Sequence, residues 1–226
     1  MAEIKKILIA NRGEIVQRAI RTIKEMGKKS VAVYSAGDKN ASYLKHADEA
    51  VCIGGAKSKD SYLNIPAIIT AAEMTGCDAI FPGYGFLSEN QDFVEICRLH
   101  NIKFIGPSVE VMEKMADKSK AKEEMIRAGV PVVPGSKGSV HSVTEGKKVA
   151  LEIGYPIMAK AAAGGGGRGM RLIHDESEFD QLFMAASSEA LAAFGDGTMY
   201  LERFINNPRH IEVQVVGDSH GNAIHI

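Results

Sequence analysis

The residues best suited to chemistry in this 226-residue chain are lysines, glycines and acids spaced as phosphate handling requires. In Lys160-Ala161-Ala162-Ala163-Gly164-Gly165-Gly166-Gly167-Arg168-Gly169-Met170 the glycines separate two apolar segments, Tyr155-Pro156-Ile157-Met158-Ala159 and Met170-Arg171-Leu172-Ile173. The pattern predicts a hairpin whose tip is bare of side chains, so its amides can wrap an anion closely. A flexible linker is the alternative reading of a glycine run. Flanking strands, with Lys160 and Arg168 as cations, favour a phosphate cover in a nucleotide-dependent enzyme. Lys160 ends an apolar run and is expected to point into a polar site, since burial without a partner is costly.

Other candidates are weaker on local grounds. Glu202-Arg203 leaves an apolar segment ending at Leu201, and reads either as a hinge that binds a base or as a solvated strand end. His210-Ile211-Glu212-Val213-Gln214 alternates, which places His210, Glu212 and Gln214 on one face of a strand lining a cleft or facing solvent. Lys118 opens the run Lys118-Ser119-Lys120-Ala121-Lys122, by itself a solvated helix face. Ala10-Asn11-Arg12-Gly13-Glu14 is a tight strand-to-helix turn without the G-x-G-x-x-G of a dinucleotide site. Pro82-Gly83-Tyr84-Gly85 follows a later strand, either as a close-approach ligand loop or as a turn with a packing tyrosine.

These turns need strands to hold them. Lys6–Ala10, Val31–Tyr34, Val51–Ile53, Ala79–Phe81 and Phe104–Gly106 are short apolar runs suited to parallel strands buried on both faces. Helical stripes lie between them: Ile15, Ala19, Ile20 and Ile23; a segment from Tyr62 to Thr75; and one capped by Ser88. Strands alternating with helices predict an α/β, doubly wound parallel sheet. Beyond it Asp117 is expected to cap a charged helix ending at Gly129. Val130–Gly135 marks a change of domain, and Ser142 and Ser177 are expected to cap two further helices. Met199–Leu201 and His210–Val216 are read as strands. The apolar run reaching Ile226 implies that this second domain is incomplete.

A net charge of -1 gives no electrostatic case for nucleic acid or an anionic membrane, and no apolar run approaches bilayer length. Cys52, Cys77 and Cys97 lack metal-ligand spacing and read as buried free thiols, consistent with the cytoplasm.

Four motifs in order and spacing make the chain resemble the biotin carboxylase family over essentially its whole length. They are Ile9-Ala10-Asn11-Arg12-Gly13-Glu14-Ile15, Ser61-Tyr62-Leu63-Asn64-Ile65-Pro66, Pro82-Gly83-Tyr84-Gly85-Phe86-Leu87-Ser88-Glu89-Asn90 and Asn207-Pro208-Arg209-His210-Ile211-Glu212-Val213-Gln214. The resemblance implies a biotin carboxylase N-terminal domain at 1–116 and the first part of an ATP-grasp domain at 117–226. It implies a ligase that uses ATP, Mg2+ and bicarbonate to make carboxyphosphate, then carboxylates biotin on a carrier protein.

By position, Lys118 and Lys160 resemble phosphate-binding lysines, and Gly164, Gly165, Gly166, Gly167 and Gly169 the nucleotide lid. Glu202 resembles the adenine hinge, His210 an ATP-site residue and Glu212 a catalytic residue of the polar wall. Tyr84 and Gly85 mark a candidate biotin-side pocket, and Arg18 and Arg21 fall on the helix of the family's dimer interface. Ala163 departs from the family, whose members often carry a further glycine there. The family's acidic magnesium ligands lie beyond Ile226, so no metal ligand is expected within this chain. The implied partners are a biotin carboxyl carrier protein, carboxyltransferase components and a second copy of the chain. An acetyl-CoA carboxylase subunit is the leading expectation. A pyruvate or propionyl-CoA carboxylase component, another ATP-grasp ligase, and a non-catalytic nucleotide-binding or dimerisation module are the alternatives.

Overall fold

A computed structural model describes residues 3–116, 118–162, 169–218 and 220–226. It divides into two compact units, residues 1–124 and 125–226.

The first unit is built on β1 (Lys6–Ile9), α1 (Glu14–Glu25), β2 (Lys29–Tyr34), β3 (Glu49–Cys52), α2 (Ile65–Met74), β4 (Ala79–Phe81), α3 (Gln91–Leu99), β5 (Lys103–Phe104) and α4 (Val109–Ala116). Its five strands are all parallel in the order β3-β2-β1-β4-β5. Period-2 alternation sends neighbouring strand residues into different cores. Leu8, Val31, Val33 and Ile80 pack with Ile68, Phe93 and Cys97 from α2 and α3. Ile7, Ile9, Ala32 and Ala79 pack with Ile15, Val16, Ile20 and Ile23 from α1. Burying each of the Leu, Ile, Val and Phe side chains contributes about 1.5–3 kcal/mol, which keeps both sheet faces covered. The doubly wound sheet expected from the sequence is therefore present.

Some local expectations need correction. The third helix is capped by Asn90, not Ser88: the Asn90 side chain accepts from the Phe93 amide at 2.8 Å. Asn and Ser are comparable caps, and the chain becomes helical only after the turn at residues 85–90. Cys77 and Cys97 are buried free thiols, as expected, but Cys52 is exposed. It lies on β3, the edge of the sheet, where one side of the strand has no neighbouring strand.

Helix α5 (Lys118–Arg127) connects the units. The second contains α6 (Val143–Ile153), β6 (Ile157–Ala161), β7 (Met170–Ile173), α7 (Glu176–Phe194), β8 (Met199–Arg203), β9 (Val215–Gly217) and β10 (Ala223–His225). Strands β7-β6-β8 form an antiparallel sheet, with residues 134–140 bonded along the outer edge of β8. Ile157, Ala159, Ile173, Met199 and Leu201 pack against Phe179, Phe183, Ala186 and Ala190 of α7. Ser142 caps α6 as expected, accepting from the Glu145 amide. The α7 cap is Asp175 instead of Ser177; its carboxylate accepts from the Ser177 amide at 2.8 Å. A carboxylate is also the better partner for the positive end of the helix dipole. The expected Asp117 cap lies outside the described residues.

Candidate functional site

In the first unit the candidate site lies at the carboxyl ends of β1 and β4, where strand order reverses and open α/β sheets form a crevice. The turn after β1 places Asn11 in the interior, 3% exposed. Its amide donates to the carbonyls of Pro82 and Tyr84, both at 2.8 Å, and its Oδ1 accepts from the Arg12 amide. Gly83 has φ +67°, and a Cβ there would come within 3.0 Å of the Asn11 Nδ2, so only glycine fits without strain. Phe86 also takes a positive φ, 44°, which is strained for an aromatic residue.

Tyr84 is 58% exposed, and its phenol donates to Glu14 Oε1 at 2.5 Å. The Glu14 carboxylate raises the phenol's pKa by hydrogen bonding the protonated form. Behind this turn the Arg12 guanidinium lies 5.6 Å from the Tyr62 ring centre and 5.7 Å from that of Phe86. Those two rings stack at 5.0 Å. Asp38 accepts from the Tyr62 phenol and from Ser35 Oγ, both at 2.7 Å, and pairs with Arg12 at 3.8 Å. Burial opposes ionisation of Asp38, but the Tyr62, Ser35 and Arg12 contacts outweigh it and hold its pKa below the ordinary carboxylate value. Asn11, Arg12, Asp38 and Phe86 were not distinguished as functional on sequence grounds; only the positions of Asn11 and Arg12 after a strand pointed to them. Arg18 and Arg21 are exposed on α1, in helical register with Glu14 and Glu25.

In the second unit Lys160 is the fourth residue of β6. Its Nζ donates to Glu202 Oε2 at 2.5 Å, from β6 to the adjacent β8. Strand β8 runs through Arg203, so Glu202 sits within the strand, and not past its end as the sequence suggested. Glu202 is half-buried, while Arg203 ends the strand exposed. Arg203 turns away and donates to the Ile153 carbonyl through both Nε and Nη2.

Register decides what surrounds the Lys160–Glu202 pair. Met158 lies opposite Leu172 and Glu202, and Lys160 opposite Met170 and Tyr200. Facing residues share a side of the sheet, so these six form one half-buried surface away from α7. That surface sets Met158, Met170, Leu172 and Tyr200 beside the Lys160–Glu202 ion pair, an arrangement suited to a flat base beside a cation-bound anion. Met158, Met170, Leu172 and Tyr200 were missed in the sequence reading, although alternation within each strand hinted at them.

Strands β6 and β7 form the expected hairpin. Gly169 closes its base at φ +65°, its carbonyl accepting from the Ala161 amide at 3.0 Å. Gly164, Gly165, Gly166 and Gly167 lie outside the described residues. Lys118 opens α5, and its side chain is also outside them.

His210 and Glu212 do not lie on the predicted strand. Residues 207–213 have no ladder partner among the described strands; β9 begins at Val215, and the Gln214 carbonyl just before it accepts from the Ile226 amide at 3.0 Å. Alternation licenses a strand only where a neighbour satisfies its backbone, and here polar and apolar positions are both exposed. The two side chains pair with each other at 3.7 Å, 89% and 81% exposed. Among the described residues no group of three or more His, Cys, Asp or Glu stands close enough to hold a metal.

Comparison with known proteins matches residues 3–112 to the family model described as biotin carboxylase, N-terminal domain. Residues 117–226 match the model described as carbamoyl-phosphate synthase L chain, ATP binding domain. The biotin carboxylase of Nostoc sp. is 58% identical over 221 residues, 98% of this chain and 49% of that protein. A biotin carboxylase–β,γ-ATP complex from Campylobacter jejuni has a TM-score of 0.86 and 68% identity, covering 99% of this chain and 50% of that one. The biotin carboxylase domain dimer of Hydrogenobacter thermophilus 2-oxoglutarate carboxylase, solved with MgADP, ADP and bicarbonate, has a TM-score of 0.83 and 50% identity, covering 100% of this chain and 49% of that one. The chain thus spans about half the length of the relatives it matches.

Proposed function

Because this chain belongs to the biotin carboxylase family, we propose that it supplies the N-terminal domain and part of the ATP-grasp domain, with a boundary at 116/117, of an ATP-dependent ligase that carboxylates biotin. The observation that carries the proposal is the β6–β8 surface, where the Lys160–Glu202 pair adjoins half-buried Met158, Met170, Leu172 and Tyr200. An adenine ring fits the apolar part, and Lys160 offsets phosphate charge. In the reaction, bicarbonate oxygen attacks the γ-phosphorus, ADP leaves and carboxyphosphate forms. The biotin ureido nitrogen then bonds to the carboxyl carbon, the carbon–oxygen bond to phosphate breaks, and the released phosphate takes up the ureido proton.

Lys118 and the Gly164–Gly167 amides assist at the phosphates, and Gly169 anchors the lid. His210 serves the ATP site and Glu212 the polar catalytic wall. Tyr84 and Gly85 form the biotin-side pocket. The proposed partners are a biotin carboxyl carrier protein and carboxyltransferase components, with a second copy of the chain meeting α1 at Arg18 and Arg21. Its proposed setting is the cytoplasm, in agreement with three free cysteines and the lack, among the described residues, of a helix long and apolar enough to cross a membrane.

Acetyl-CoA carboxylase is the proposed parent system. A carboxylase acting on a 2-oxo acid is the second reading, favoured by the likeness to the Hydrogenobacter domain. Phosphate release from ATP, assayed with Mg2+, bicarbonate and free biotin, tests the activity. Biotin-stimulated release is expected from the complete natural polypeptide and background release from the 226-residue chain alone. ATP cleavage by the complete polypeptide that ignores biotin would point to another ATP-grasp ligase, and failure to cleave ATP to a non-catalytic module.

A further inference from the structure

Tyr84 combines two properties that seldom coincide: it is 58% exposed, yet it is tethered at both ends. Its phenol is held by Glu14 at 2.5 Å, and its carbonyl by the Asn11 amide at 2.8 Å. An exposed tyrosine with no task has nothing to gain from such restraint, because ordering it costs entropy. A ring fixed from behind and open in front is a preorganised contact surface.

We infer that Asn11 is the positioning residue for the biotin-side pocket, acting through the turn that carries Tyr84. This rests on the reading of Tyr84 and Gly85 as that pocket. A primary amide has two N–H donors and one carbonyl acceptor. In Asn11 all are used: the donors go to the Pro82 and Tyr84 carbonyls, and Oδ1 to the Arg12 amide. The partners also fix the orientation of the amide, since the reverse flip would set Oδ1 against two carbonyl oxygens. Gly83, between the two bonded carbonyls, wraps the chain around that amide at φ +67°. The same Ala10–Gly13 turn leads directly into α1 and Glu14, the second tether. No other natural side chain of this size offers two donors and an acceptor in this arrangement. Aspartate keeps the acceptor and the volume but sets a carboxylate against both carbonyls.

The test uses the complete natural polypeptide, with free biotin as the variable substrate and then ATP. Asn11→Asp is expected to raise the KM for biotin about tenfold or more, as loss of buried hydrogen bonds at a contact surface requires, with the KM for ATP within about twofold of wild type. Gly83→Ala attacks the same clamp from the other side, since its Cβ would press on the Asn11 Nδ2, and is expected to show the same split. Should Asn11→Asp not fold, Asn11→Ser and Gly83→Ala carry the comparison. A fall in kcat with an unmoved KM for biotin, or KM values for biotin and ATP that rise together, overturns the inference and leaves Asn11 a residue of the fold. If wild-type protein cleaves ATP without regard to biotin, the proposed function itself fails, an outcome distinct from either.

Discussion

Lys160 illustrates how much one side chain depends on its partner. In the sequence it is a cation at the end of an apolar run; in the structure its charge is met by Glu202 across the β6–β8 ladder. A nucleotide phosphate would compete with that carboxylate for the ammonium. Losing a charge-assisted contact costs about 1.5–3 kcal/mol, so Lys160→Gln is expected to raise the ATP requirement about ten- to a hundredfold. Steady-state kinetics against ATP check this, and unchanged values would remove Lys160 from the site. Asp48 allows a second prediction at this scale. It accepts from the Ser30 amide at 2.9 Å, from Ser30 Oγ at 2.8 Å and from Lys29 at 3.1 Å, which together lower its pKa to about 2. A depressed carboxylate pKa adds stability above its unfolded value and loses it as pH falls through the folded one. Asp48→Asn should therefore cost about 1 kcal/mol at neutral pH, allowing for solvent screening, and flatten the loss of stability between pH 4 and 2. Urea unfolding of wild type and variant at neutral and acid pH reads both effects.

Packing between elements sets limits that propensity does not show. Gly146 lies within α6, where alanine is normally better by about 1 kcal/mol. A Cβ at this position would meet the Phe179 ring at 2.6 Å and the Phe183 ring at 3.4 Å. Those rings stack at 5.3 Å on α7 and are buried in the core of the sheet, so they have little room to retreat. Gly146→Ala is expected to destabilise the second unit by about 1–3 kcal/mol despite its helix propensity. Denaturant unfolding followed by circular dichroism checks it; a stabilised variant would mean that α6 shifts freely. The helix was legible in the sequence from the capping-box spacing of Ser142-Val143-Thr144-Glu145. The reason for a glycine inside it was not, because the rings it faces come from a helix about thirty residues later.

Across the whole molecule, the candidate residues divide between two units that each bury their own core. Tyr84, Gly85, Arg18 and Arg21 belong to the first; Lys160, Gly169, Glu202, His210 and Glu212 belong to the second. The chain carries both sets and spans about half the length of the relatives it matches. Composition set the class: a nearly neutral chain with ordinary apolar content has no bias toward nucleic acid or membrane.

The sequence by itself determined the five parallel strands, most of the helices, the pairing of the two strands that flank the glycines and the family motifs. These follow from local periodicity and from short runs of residues whose conformational limits are their own. Only the tertiary structure decided which residues meet. Alternation assigns a side within one strand, but the pairing register between strands, set by long-range packing, brought Met158, Met170, Leu172 and Tyr200 around Lys160 and Glu202. The edge position of β3 exposed Cys52, although its apolar neighbours suggested burial. Asn11 finds its two carbonyls more than seventy residues away, across the point where β1 and β4 pair. A hydrogen bond of that span depends on the closed sheet, so no local pattern announces it.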